Sequence, residues 1–500
     1  MNSDCLGDLS LAKGPEFQVI IIVEYDDGRM FPLTEDVPKC LLPVSNRPLL
    51  SYQLDILERS GALEVFIVAP ADYKAQLSMF LDTSMRANMS IDLIFVEEML
   101  GSCDALRAVQ DRIRGDFIVF GSDVFSELII PKLVLTHRVQ TSDITMLFSA
   151  VIPEEPEKKG APKKLNIDQE DQEFVGLWQE RVVMKLPAAE ASENLIISKP
   201  LLNRCSGMNM RTDLLDIGIY VVSHWILEVV GKHKFLSSIR TDLVPYLVNR
   251  QFQDPTFLED SLPGFSHRKR PLKALESWLT SSPLHPLPGD SSVCQGPGPS
   301  LAGLLSQQMH SEESRTRPPN PNPNPSHSLS PHVGKSCDPL RCCYVLLEPE
   351  REIEMGTRGR GDLPTAQRLT TNHSYLKLNR EFITRNLTDE GMRLWPIAPG
   401  FKKKEQSVVG NDCDLGDKII LKQSTIDSGC RVSAKTKVNS CVLMKTVQIG
   451  EGCTIQNSVI CPGAIIESNS NLNECYIGSG THIPSGSKLK SEAMSSAETV

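Results

Sequence analysis

The C-terminal fifth of this 500-residue chain carries a repeat that leaves few folds open. Stepping from Val409 by six, six and five residues lands on Val409, Leu415, Leu421, Ile426, Val432, Val438, Leu443, Ile449, Ile455, Ile460, Ile466, Leu472, Ile477, Ile483 and Leu489. All are Val, Ile or Leu, types that make up about a quarter of the chain, so chance gives such a run at roughly one in 10⁹ per register. The residue four places after each is usually small or apolar, as at Cys413, Cys430, Thr436, Cys453, Ala464, Ser470, Thr481 and Ser487, with Tyr476 the large aromatic exception. A period of 17 residues with three short strands per coil predicts a triangular prism whose axis is aliphatic. No coil buries its own apolar face, so the five coils must stack to make a core.

This pattern resembles the hexapeptide-repeat, left-handed parallel β-helix, a known exception to right-handed crossovers. The helix is expected over 404–490, with a disordered tail at 491–500. Three cysteines on small inward sites, Cys413, Cys430 and Cys453, are then packing residues.

Residues 17–252 follow another rhythm, after a disordered tail at 1–16. Short β-branched runs (Gln18–Val23, Glu64–Ala69, Ile91–Val96, Phe117–Phe120, Ile144–Val151) alternate with amphipathic stretches (Leu49–Ser60, Ala71–Leu81, Asp104–Ile113, Pro131–Val139). That alternation predicts one α/β domain with a mostly parallel sheet covered on both faces. Further strands are expected at Asn194–Ile197 and Asp216–Val222, and SIRTDLVPYLVNRQF (238–252) reads as helical. Pro, Ser, Asn and Gly then accumulate through 253–340, culminating in PPNPNPNPSHSLSP, the composition of a flexible linker. Its RPLKALESWL stretch (270–279) has the makings of a transient helix, although a disordered spacer is the preferred reading. RGRGD at 358–362 reads as solvated loop within a connecting segment, 341–403.

Composition excludes some functions. With 52 Lys and Arg against 62 Asp and Glu, the net charge is −10, which argues against nucleic-acid binding driven by global charge. No apolar run approaches the ~20 residues of a bilayer span, and MNSDCLGDLSLAKGPEF lacks the basic and apolar regions of a secretory signal. The 14 cysteines contain no CxxC pair, as expected of idle thiols in a reducing cytosol.

Chemistry concentrates in VEYDDGRMFPLTEDVPKCLLPVSNRPLL (23–50). Arg29, Pro32-Leu33-Thr34, Pro38-Lys39, Leu41-Leu42-Pro43-Val44 and Arg47-Pro48-Leu49-Leu50 resemble the opening of sugar nucleotidyltransferases. Gly101-Ser102 with Ala105-Leu106 is similar to that family's stretch near the base, and Asp123 stands where its metal-binding Asp follows a strand. The resemblance implies a Rossmann-like nucleotidyltransferase domain. In such enzymes a Gly-Gly-x-Gly loop brings backbone N–H groups to the phosphates, while Arg and Lys neutralise pyrophosphate. Here the loop reads Glu24, Tyr25, Asp26, Asp27, Gly28, Arg29, and only Gly28 leaves the backbone free of a Cβ. Carboxylates in the cradle would repel a triphosphate by several kcal/mol, unless they recruit Mg²⁺ to it. The loop therefore reads as degenerate, with Lys39 reduced to a surface cation and Asp123 to a strand-end cap.

A nucleotidyltransferase-like domain followed by a β-helix also resembles two subunit families, gamma and epsilon, of the guanine-nucleotide exchange factor for translation initiation factor 2. SIRTDLVPYLVNRQF, RLTTNHSYLKLNREF (368–382) and CVLMKTVQIGEGCTIQNSVICPGAIIE (441–467) are similar to gamma subunits. The chain stops about ten residues after its last coil, where epsilon subunits continue into a helical exchange domain. The resemblance implies a non-catalytic cytosolic scaffold with no cofactor and no catalytic residue. Its partners would be an epsilon-type subunit, other exchange-factor subunits and initiation factor 2, with no membrane and no direct nucleic-acid contact. Two other readings stand beside it. One is an active pyrophosphorylase, and the other an acyltransferase using His482, the sole histidine after His373.

Overall fold

A computed structural model describes residues 17–84, 86, 88–126, 130–151, 170–191, 197, 199–253, 340–347, 366–386, 402–404 and 406–496. The expected tail at 1–16, nearly all of the 253–340 linker with its 270–279 stretch, and the RGRGD loop lie outside the described residues. So does most of the expected strand Asn194–Ile197; Ile197 is described and is not in a strand.

The N-terminal strands form where the sequence places them. Gln18–Ile22 pairs in parallel with Glu64–Pro70 and Phe117–Gly121, and Glu64–Pro70 pairs in parallel with Ser90–Val96. Val19, Ile20, Ile21 and Ile22 are all buried, as both-face coverage of a parallel sheet requires. The helices Leu49–Arg59, Lys74–Thr83, Ser102–Val109 and Ile130–Val139 alternate with these strands. The sheet then turns mixed. Leu214–Val222 runs antiparallel between Phe117–Gly121 and Ile144–Ala150. A hairpin, Glu173–Trp178 with Arg181–Pro187, extends the far side, and Asn209–Arg211 closes the ten-stranded edge.

Two expectations need correction. First, the segment 341–403 is more than a connection. Its strand Cys342–Leu347 pairs in parallel with Ile144–Ala150 and sits between that strand and Arg181–Pro187, inside the sheet. CCYVLL is apolar enough for that interior place, with Cys342 and Cys343 buried. The Pro/Asn-rich stretch is therefore an insertion within the first domain and does not tether two domains. Second, SIRTDLVPYLVNRQF is only partly α-helical: Ile239–Leu243 is wound as a π-helix before the short helix Val244–Val248.

The C-terminal region is a left-handed parallel β-helix in the expected register. Val409, Ile426, Leu443, Ile460 and Ile477 stack along one sheet, Leu415 to Ile483 along a second, and Leu421 to Leu489 along the third. Ala493–Met494 adds one more strand to the first sheet, so coil pairing continues into the stretch expected to be a tail. Outward residues of that first sheet, Val408, Thr425, Val442 and Val459, are buried too. Val442, Met444, Val459 and Cys461 join the hydrophobic core of the nucleotidyltransferase-like domain through the helix Asn372–Asn386 and the 30–57 region. Among the described residues no helix is long and apolar enough to cross a membrane.

Candidate functional site

The loop after Gln18–Ile22 opens beside the ends of the parallel strands, where α/β folds place their ligands. Glu24, Asp27, Arg29, Lys39, Gly101, Asp123 and Arg368 line one cavity of about 230 Å³ there. That is below the roughly 300–1,000 Å³ of typical small-molecule sites.

Asp26 turns inward and collects the loop's donors. One oxygen accepts from the backbone N–H of Gly28 (3.0 Å) and of Met30 (3.3 Å) and from the Thr34 hydroxyl (2.9 Å). The other lies 2.6 Å from Lys39 Nζ, with both side chains 11% exposed. Partial burial opposes ionisation of Asp26, yet the Lys39 ammonium and these donors win, and its carboxyl falls below the usual carboxylate range. Asp27 accepts from Arg29 Nε at 2.6 Å, and Lys39 Nζ is 3.7 Å from it. Lys39 is thus a largely buried, paired cation, correcting its reading as a surface charge. Gly28 takes the left-handed φ of +87° at the loop tip, which glycine adopts without strain.

Tyr25 turns outward and donates to Asp72 at 2.6 Å; that bond to a carboxylate, helped by desolvation, pushes its phenol up to about 12. Glu24 is reached by solvent through the cavity mouth but is packed by protein elsewhere. Lost hydration first, then the nearby Asp123 carboxylate, raises its carboxyl above the ordinary range.

Asp123 also has a partner that its reading as a cap misses. Arg368, on the strand Ala366–Arg368 that pairs with Val124–Ser126, places Nε 2.7 Å from its carboxylate. Gly101 lines the cavity and is tightly packed from behind. Its backbone is extended, and a Cβ would fall 2.5 Å from the Ser237 carbonyl, so close packing of Gly101 on Ser237 requires glycine.

Behind the loop runs an ion-pair chain that no spacing announces. Arg29 Nη1 is 3.1 Å from Asp171, and Arg240 bridges Asp171 (3.1 Å) and Glu173 (3.0 Å). Lys185, 1% exposed, lies 3.0 Å from Glu173 and 3.2 Å from Asp216, which accepts from Tyr220. His482, on the outer surface of the β-helix, is 53% exposed and 3.2 Å from Glu467.

Comparison with known proteins matches both halves. A nucleotidyl transferase family model covers residues 27–166, and a GlmU-like C-terminal hexapeptide model covers 407–498. Translation initiation factor eIF2B subunit gamma of Dictyostelium discoideum is 27% identical over 254 residues, 47% of this chain and 58% of that protein. The gamma subunit of Schizosaccharomyces pombe is 26% identical over 267 residues, 52% of the chain and 57% of the relative. The S. pombe epsilon subunit is 26% identical over 235 residues, 45% of the chain and 34% of the relative. The chain spans somewhat more than half the length of the gamma relatives it matches.

Proposed function

The chain is of the eIF2B gamma type, a nucleotidyltransferase domain joined to a hexapeptide β-helix, and from that premise we propose that it is a non-catalytic scaffold of an exchange factor. It acts with an epsilon-type subunit in the cytosol to promote GDP–GTP exchange on translation initiation factor 2, and it turns over no nucleotide sugar. The observation that carries this reading is the internal neutralisation of the loop. Lys39 and Arg29, the cations a pyrophosphate needs, are held by Asp26 and Asp27, and Arg368 occupies Asp123. A triphosphate would have to displace carboxylates already hydrogen-bonded to the loop's own amides. Mg²⁺ recruited by Asp26 or Asp27 would compete with those same cations.

Two measurements test the proposal. Pyrophosphate exchange with sugar phosphates, nucleoside triphosphates and Mg²⁺ should stay at background; turnover abolished by Asp123→Ala would make the chain an enzyme. GDP release from initiation factor 2 should stay at its spontaneous rate with this chain alone. It should rise above the rate set by an epsilon-type subunit when the two are combined. Fast release without a partner, or no effect on the partner's rate, contradicts the scaffold reading.

A further inference from the structure

The turn after the helix Ile226–Lys232 displays aromatic and basic side chains. Phe235 is 65% exposed. The rings of His233, Phe235 and Tyr246 form a closed triad with centroids 5.3, 5.7 and 5.8 Å apart. The Arg250 guanidinium lies 3.6 Å from the Tyr246 centroid, and its Nε finds no acceptor among the described residues. Lys232 and Lys234 are exposed beside the triad. The two other charges between 232 and 250 are turned to internal partners: Arg240 pairs with Asp171 and Glu173, and Asp242 accepts from Ser237 and Ser238. The outward charges of the 232–250 segment are therefore basic, on a chain whose net charge is −10.

Its exposure is built rather than slack. Arg107 donates to the carbonyls of Val230 (3.0 Å), His233 (3.0 Å) and Leu236 (2.7 Å), and Asp104 holds Arg107 at 2.5 Å. On the other flank Asp242 accepts from the N–H of Ser237 at 2.8 Å and of Ser238 at 3.0 Å. Phe235 thus stands on a turn fixed from both sides. Gly101 packs against Ser237 in the same neighbourhood and carries its neighbour Leu100, 88% exposed. A pre-organised aromatic side chain held in water, ringed by Arg and Lys, has the composition of an interface's energetic centre.

We infer that this patch docks an acidic segment of a partner protein. The segment lays an apolar or aromatic side chain against Phe235 and Tyr246 and sets carboxylates against Lys232, Lys234 and Arg250. Charge complementarity selects the acidic segment. Three cations in one small patch neutralise too few phosphates to hold a nucleic acid at physiological salt, where affinity falls steeply with counterion competition.

Fluorescence anisotropy on the full chain tests this with two labelled peptides of about twelve residues. Both carry a central Trp-Leu pair, flanked by glutamates in one and by lysines in the other. The glutamate peptide should bind and should lose roughly tenfold in affinity with Phe235→Ser or with Lys232→Glu plus Lys234→Glu. Its binding should weaken several-fold between about 50 and about 300 mM salt. The altered side chains are exposed, so an unchanged melting temperature certifies the fold. Equal binding of the two peptides, or undiminished binding by the variants, overturns the inference. Tighter binding of an oligouridylate of similar length would make the patch a nucleic-acid site. A Phe235-dependent dimer in sedimentation would make the occupant a second copy, and either result also overturns it. No exchange-factor subunit enters the test, so its outcome is separate from that of the scaffold reading.

Discussion

Asp26 does for the loop what a phosphate does in an open nucleotide site: it accepts from backbone N–H groups and from a lysine at once. The difference is permanence, because the anion is now part of the chain. Since its folded-state carboxyl is lowered, Asp26 adds stability that is present above the ordinary Asp value of about 3.9 and is lost as pH falls through its lower folded value. Lys39→Met removes the leading stabiliser of that anion while leaving the Gly28, Met30 and Thr34 donors. It should destabilise the protein by about 1–3 kcal/mol at pH 7, less than a fully buried broken pair because these donors remain. The deficit should shrink as pH falls through the acidic range, because Asp26 protonates first in the variant and only at lower pH in the parent protein, where Lys39 holds its carboxyl down. Urea midpoints across pH 3 to 7 check this, and a pH-independent deficit would show that Lys39 acts through packing alone. The sequence marks Asp26 and Asp27 as intruders in a glycine loop, and from that alone repulsion follows. Their neutralisation is not legible, because spacing carries no signal when Arg29 meets Asp171 across 142 residues and Asp123 meets Arg368 across 245.

At the scale of elements, the β-helix is legible wherever a strict period governs a side chain. Axis positions must be aliphatic in every coil, so the register can be read directly. Corners follow the same period without a residue code. Backbone φ is positive at Asp412, Gly429, Thr446, Gly463 and Gly480, and likewise along the Lys418 to Gly486 and Gln423 to Ser491 series. Most of these corners are not glycine, despite the strain of left-handed backbone for residues with a Cβ. Parallel stacking compensates, since Lys435, Ser440 and Thr446 each donate a backbone N–H to the coil before. Elsewhere legibility fails for lack of period: the six apolar residues of Cys342–Leu347 earn their place only by pairing with a strand nearly two hundred positions away. Ile455→Asp puts a carboxylate on the axis at a fully buried position and should cost several kcal/mol unless it protonates. Gln456→Glu, one residue on and facing solvent, should be close to neutral. Equal melting temperatures for the two variants in the full chain would contradict the register.

At the scale of the molecule, one face of the prism and the nucleotidyltransferase-like domain share a core. The position just before each axis residue distinguishes the three faces. On the docked face it reads Val408, Thr425, Val442, Val459, Tyr476, whereas the second reads Asp414, Arg431, Gln448, Ile465, His482. The first series is the apolar one, and its middle members are sealed against the other domain. Asn46 Nδ2 donates to the Ile426 carbonyl at 3.1 Å, and Asn379 Oδ1 accepts from the Ser45 N–H at 2.9 Å. The segment that follows the loop at 24–29 is thereby tied to the β-helix and to the helix Asn372–Asn386. The proposed scaffold role would gain from such coupling, because surfaces on both domains keep a fixed relation. Val459→Glu tests the coupling without touching the prism axis. Val459 is fully buried and faces the other domain, so a carboxylate there must be desolvated, protonate, or force the domains apart. Separation is the expected escape, since undocking rehydrates the charge at the cost of the apolar contacts around it, about 1.5–3 kcal/mol for each large side chain exposed. Calorimetry of the parent chain should then show one cooperative transition for the two domains, and the variant two, with the later one retaining the axis-dependent stability that Ile455→Asp removes. A single transition in the variant, merely shifted to lower temperature, would mean that the domains unfold together for reasons other than this face.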